Sequence, residues 1–172
     1  HKGRRKLMKP DNFSGFVLGF NSCRPKSEGT VSITSSRPGK APSIRPNYLD
    51  HENDRDEALA MARLIERLMA TPALTGILAD EPLTPLDKMD DDAVLADFRQ
   101  RGGTVFHLCG TCRMGPDAAS SVVDSRLRVH GVEGLRICDA SAFPNITSAN
   151  TNAPTMMLAH RAAGMILQDG QR

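Results

Sequence analysis

His107 lies in the run Thr104-Val-Phe-His-Leu-Cys-Gly-Thr-Cys-Arg-Met-Gly115, and a second polar run, Ser148-Ala-Asn-Thr-Asn-Ala-Pro-Thr155, follows it in the chain. Imidazole is the side chain best suited to take a hydroxyl proton near neutral pH, and Gly110, Thr111 and Gly115 let backbone approach a ligand closely. The bland reading of a lone histidine beside Phe106 is a satisfied core residue. Asn150 and Asn152 serve either as loop and capping residues or, more specifically, as carboxamides at a helix start. There the N–H groups from Thr151 onward can hold a polarised ligand oxygen. Together the two runs read as half of an active site. Nothing in the chain supplies a glycine-rich nucleotide loop, and it begins at His1 rather than Met, so the expectation is a fragment.

The remaining reactive residue types carry less. Cys109 and Cys112 have redox or metal spacing, but a zinc site needs two further ligands and no second Cys or His pair lies at suitable spacing. The strand-to-helix setting that activates a redox thiol is also missing, so small apolar packing is the expected role. His130 sits in a turn and His160 on a helix face beside Arg161; both read as structural.

Several elements must position these residues. Phe13 to Phe20 is apolar with two glycines, Thr30 to Thr34 alternates, and Ile44 to Leu49 makes a third short segment, so an antiparallel sheet edge is expected in the first third. Turn residues at 25–29 and 37–42 separate these strands. Residues 53–70 place Ala58, Met61, Ala62, Ile65, Leu68 and Met69 on one helical stripe, with Asp54 and Glu57 at capping-box spacing and Pro72 as a stop. A shorter helix over about 91–101 buries Val94, Leu95 and Phe98 and delivers the chain to His107. Gly134 to Asp139 reads as a strand ending in a carboxylate. A last helix is expected to begin near Pro154, with proline at its first position, and to be mostly buried.

The chain has 172 residues and a formal net charge of +2, which suits an ordinary folded chain and gives no electrostatic case for nucleic acid. The basic start His1-Lys-Gly-Arg-Arg-Lys6 reads as a solvated end. Four cysteines without a secretory leader or an apolar run of bilayer length favour a reducing, cytoplasmic setting, with peripheral membrane association left open. Asn12-Phe-Ser14 and Asn145-Ile-Thr147 match the glycosylation pattern, which arises often by chance and is discounted.

Three ordered segments are informative together: His107 to Gly115, Val122-Val-Asp-Ser-Arg-Leu-Arg-Val-His-Gly-Val-Glu-Gly-Leu-Arg-Ile-Cys-Asp-Ala-Ser141, and Asn150-Thr-Asn-Ala-Pro-Thr-Met-Met157. They resemble the C-terminal region of glucose-methanol-choline (GMC) oxidoreductases, in particular choline-dehydrogenase-like alcohol dehydrogenases. The resemblance implies an α+β fragment of a larger FAD enzyme. Residues 1–106 would supply part of a substrate domain built on an antiparallel sheet, with helices. Residues 107–172 would supply the active-site loop and the strand and helix that complete the FAD domain. It further implies that His107 takes the alcohol proton as hydride leaves for the flavin, while Asn150 orients the substrate oxygen. Asp139 and Ala140 would contact the ribityl and diphosphate portion, and the main chain at Thr151 and Asn152 the pyrimidine edge. The family's Gly-x-Gly-x-x-Gly clamp has no counterpart here, so a missing N-terminal FAD-binding region is the implied partner. Which alcohol is oxidised, and whether oxygen, quinone or a protein accepts the electrons, is left open. The alternatives are a noncatalytic remnant without the FAD clamp, or a hydroxynitrile-lyase-type activity on the same scaffold.

Overall fold

The computed structural model describes residues 12–170, so the basic start at residues 1–6 lies outside the described residues. Its regular elements are helices and one two-stranded antiparallel sheet. β1 (Thr30–Ser32) pairs with β2 (Ser43–Arg45) in the register Thr30↔Arg45, Val31↔Ile44, Ser32↔Ser43. Both strands are shorter than the alternation suggested. Pro46 has no N–H to continue a ladder, and the left-handed backbone at Asn47 (φ 53°) and Leu49 (φ 60°) then turns the chain inward. The expected strand over 13–20 does not form. Instead Phe20 stacks on Phe98, with ring centroids 5.6 Å apart, whereas Phe13, Phe16, Val17 and Leu18 stay exposed.

α1 (Glu52–Met69) forms where the periodic stripe lies, but its start differs from the capping box read in the sequence. His51 is the cap, and its Nδ1 accepts from the Asn53 amide at 3.2 Å. Asp54 is buried and turns outward, accepting from the amides of Lys26 (2.7 Å) and Ser27 (2.8 Å), while Glu57 accepts from the Ser22 hydroxyl. Both acids are thus committed to the loop before β1. α1 ends at Met69, and Pro72 opens the short α2 (Pro72–Thr75), its fixed φ suiting a first helical position. α3 (Asp91–Arg101) matches its expected bounds, because Asp90 caps the Ala93 amide at 2.8 Å and Gly102 follows the last turn. Arg63 ties α1 to the start of α3 through Leu86 and Met89 carbonyls and the Asp91 carboxylate. Leu49, Ala58 and Leu95 form the buried centre of this half, flanked by Phe20, Leu59 and Phe98.

A second apolar cluster is built from later residues alone: Val123, Leu127, Ala142, Phe143, Leu158 and Ala162. Loops rather than strands make most of it. The Gly134–Asp139 segment forms a single bridge, Arg128↔Arg136, instead of the expected strand, because left-handed glycines at 131 and 134 fold it back on Leu127 and Val129. The amides of Cys112 and Met114 donate to the carbonyls of Ser141 and Ala142, stitching the glycine-rich run onto a short 3-10 turn at Ala140–Ala142.

α4 (Asn152–Asp169) begins two residues before Pro154, which therefore sits third. Proline is harmless there, since the first four helical N–H groups lack intrahelical acceptors. The expectation of a mostly buried helix is not met: Leu158 and Ala162 are buried, whereas Met156 (66%) and Leu167 (69%) are exposed. This chain supplies packing for one stripe of α4 only. The helix end is fastened electrostatically, with Asp169 receiving the guanidinium groups of Arg126 (3.0 Å), Arg128 and Arg136. Hydrogen bonding from Arg128 is the main cause that holds its carboxyl down to about 2; burial opposes it, and Arg136 and Arg126 add to it. Among the described residues no helix is long and apolar enough to cross a membrane.

Candidate functional site

His107 is reached through an irregular descent from α3. The Phe106 amide donates to the Thr104 hydroxyl at 3.0 Å, and Phe106 itself adopts φ 64°, a left-handed conformation that costs a side-chain-bearing residue about 1–2 kcal/mol. That turn sends the Phe106 ring toward solvent and the half-buried His107 ring inward. The imidazole Nδ1 lies 3.0 Å from the Thr151 hydroxyl and 3.4 Å from the Thr151 amide nitrogen. Two loops separated by 44 residues therefore meet at one ring nitrogen.

The later loop has its own left-handed residue, Ser148 (φ 58°), whose hydroxyl accepts from Arg24 Nε at 2.9 Å. A polar pocket lined by Arg24, Lys26, Asn145 and Ser148 opens beside it. Asn150 is exposed and makes no side-chain hydrogen bond among the described residues, although its neighbour Thr151 is in contact with His107. Direct contact thus falls to Thr151, for which the sequence suggested only a main-chain role. A buried threonine at a helix cap with no side-chain capping bond is the signal that betrays it. Asn152 is exposed in the first turn of α4, its amide 3.9 Å from the Met156 sulfur. The amides of Asn152 and Ala153 have no acceptor within the helix, leaving an electropositive end next to the histidine.

Asp139 caps the Ala140–Ala142 turn, with Oδ1 accepting from the amide and hydroxyl of Ser141. The carboxylate is exposed, and Oδ2 has no partner among the described residues. Ala140 is half-buried against the second apolar cluster. Cys109 packs against that cluster too, and burial pushes its thiol up against the opposing pull of the Arg113 charge. Cys112 is half-buried with its amide on Ser141. His130 has a structural position, Nε2 lying 3.1 Å from the Ser121 hydroxyl and 3.3 Å from the Gly115 carbonyl. His160 is exposed on α4.

The structure thus holds a loop-borne imidazole at the start of a long helix, next in the chain to a solvent-facing carboxamide. The sequence model of GMC oxidoreductases matches residues 25–159, and the chain belongs to that family. It is 42% identical over 152 residues to an oxygen-dependent choline dehydrogenase of Proteus mirabilis (strain HI4320), covering 88% of this chain and 27% of that protein. An alcohol dehydrogenase (acceptor) of Pseudomonas putida is 38% identical over 154 residues, covering 90% of this chain and 28% of that protein. Among solved structures, a variant formate oxidase of Aspergillus oryzae RIB40, described for its FAD modification, superposes with a TM-score of 0.80 at 27% identity over 87% of this chain and 26% of that one. A fungal aryl-alcohol oxidase gives 0.70 at 27% identity, covering 87% of this chain and 25% of that one. The chain thus spans about a quarter of the length of the curated relatives it matches.

Proposed function

We infer that this chain is the C-terminal portion of an FAD-dependent alcohol dehydrogenase or oxidase acting on a primary alcohol, choline-like or other. Family membership and the relatives' activities support the reaction class; the observation that carries the site is the meeting of His107 with the loop of Asn150 and Thr151. Residues 1–106 belong to the substrate domain and residues 107–172 complete the FAD domain. The two separate apolar clusters support this division, since no residue is shared between them.

The residues present fit FAD. The open N-terminus of α4 suits an edge that gains negative charge on reduction, and Asp139 keeps one carboxylate oxygen free for a cofactor hydroxyl. Ala140 carries only a methyl group, which packs against the second apolar cluster. The main chain at Thr151 and Asn152 would hold the pyrimidine edge. The pyrophosphate clamp belongs to a part of the protein outside this chain. When bound, FAD supplies the acceptor for the hydride of the carbinol carbon. His107 takes the hydroxyl proton, and Asn150, with no side-chain bond among the described residues, donates to the substrate oxygen and fixes its approach.

Anaerobic mixing of the full-length protein with choline and a series of primary alcohols tests this reading by loss of oxidised-flavin absorbance. Bleaching is expected with at least one of them, slowed roughly a hundredfold or more in His107→Ala with flavin still bound. No bleaching with any alcohol, or a wild-type rate in the variant, would sink it.

A further inference from the structure

We propose that Arg24 is a positioning residue for Asn150: its guanidinium, carried on a strap anchored to α1, holds Ser148 and so fixes the loop that bears the carboxamide. The proposal rests on the reading of Asn150 as the group that orients the alcohol oxygen. Arg24 Nε donates to the Ser148 hydroxyl at 2.9 Å, across 124 positions of sequence. Ser148 lies two residues before Asn150.

The loop has little else to define it. Among the described residues, no backbone hydrogen bond involves Pro144 to Asn150, and the Arg24 contact is the one side-chain hydrogen bond made there. Beyond Asn150 the chain is fixed, because Thr151 is buried and its carbonyl accepts from the Thr155 amide at 3.0 Å. On the near side the conformation is unfavourable: Ser148 adopts φ 58°, a left-handed geometry that disfavours residues bearing a side chain. The Arg24 bond falls on that same residue, and its charged donor makes it stronger than a bond between neutral groups. Open space rather than close packing separates the two loops, since Arg24 and Lys26 line one polar pocket with Asn145 and Ser148.

The arginine end of the bond is anchored. The Arg24 amide donates to the Ser22 hydroxyl at 3.2 Å, and that hydroxyl donates to Glu57 in α1 at 2.5 Å. The amides of Lys26 and Ser27 donate to the Asp54 carboxylate at 2.7 and 2.8 Å, and the Ser27 hydroxyl accepts from the His51 amide at 3.0 Å. Residues 22–27 are thus strapped to the start of α1. Glu28 extends the strap toward the His107 run through Arg113 at 3.3 Å, but at 71% and 41% side-chain exposure that ion pair carries little weight. Arg24 is exposed as well; it matters because its partner loop has no other hydrogen bond among the described residues. Without it Asn150 is tethered through Thr151 alone, and a carboxamide that samples several directions loses the orientation on which rate depends.

The test compares wild type, Arg24→Ala, Arg24→Lys, Asn150→Ala and the Arg24→Ala/Asn150→Ala double variant as full-length, flavin-loaded proteins. In rapid mixing with a reducing alcohol, the limiting rate of flavin reduction should fall roughly tenfold in Arg24→Ala and recover in Arg24→Lys, whose ammonium can donate to the same hydroxyl. The double variant should reduce at the rate of Asn150→Ala alone, since Arg24 acts through Asn150. Independently of turnover, thermolysin should cut before Ile146 several-fold faster in Arg24→Ala than in wild type, because the loop is released. Wild-type reduction kinetics in Arg24→Ala overturn the proposal, as do losses that multiply in the double variant. If no alcohol reduces the wild-type flavin, the functional reading fails, and the cleavage rate before Ile146 alone decides whether Arg24 holds the loop.

Discussion

The carboxylate of Asp54, in the first turn of α1, accepts the backbone amide of Lys26 at 2.7 Å and so anchors the loop that leads into β1. The adjacent Ser27 amide binds its second oxygen at 2.8 Å. Burial alone would raise this carboxyl, but hydrogen bonds from Ser27 and Lys26, helped by His51, outweigh it and hold the group below the ordinary aspartate range. Asp54→Ala removes both acceptors from these part-buried amides and is expected to destabilise the protein by about 1.5–3 kcal/mol in chemical unfolding. An unchanged denaturation midpoint would show that water replaces the carboxylate at no cost.

Asp169 makes an acid-sensitive fastening. Its carboxyl titrates lower when folded than when unfolded, so its contribution is complete above 3.8 and is lost as pH falls toward about 2. The urea midpoint of wild type should drop across that window. Asp169→Asn should be less stable above it and show a flatter decline within it; parallel curves would rule out this linkage.

Leu127 and Val123 are the largest fully enclosed side chains, and both lie under the loop that holds the glycine-rich run. Leu127→Ala is expected to cost about 2–5 kcal/mol through the cavity it leaves. A loss below this range would mean that the surrounding loops collapse into the space.

Asn150 faces solvent in this chain and is assigned to the alcohol oxygen. Asn150→Ala should weaken alcohol binding and slow flavin reduction together, by roughly tenfold or more in kcat/KM, while leaving bound flavin and the urea midpoint unchanged. A lowered midpoint with normal kinetics would instead make it a loop residue.

The helices were the most legible elements. α3 kept its expected bounds because its cap, its apolar positions and its terminal glycine are all local signals. At α1 the stripe was legible but the cap was not: the same Asp54 that fits a capping box satisfies donors 27 and 28 residues away in sequence. The strands were the least legible. An apolar run at 13–20 and the segment at 134–139 do not say whether a partner strand exists: from the first only Phe20 stacks on Phe98 while Phe13, Phe16, Val17 and Leu18 stay exposed, and the second bonds back onto Leu127 and Val129.

At the site, residue types within their polar runs made His107 and Asn150 candidates, since imidazole and carboxamide chemistry belongs to the side chain wherever it sits, whereas Asp139 entered only through the family resemblance. Motif order was enough to place the chain among the GMC oxidoreductases. The hydroxyl at His107 Nδ1 was decided by tertiary structure, because threonine is ordinary in sequence and becomes a partner only when two distant loops are folded together. The same holds for the three arginines on Asp169, whose convergence depends on α4 returning along the loop that bears them.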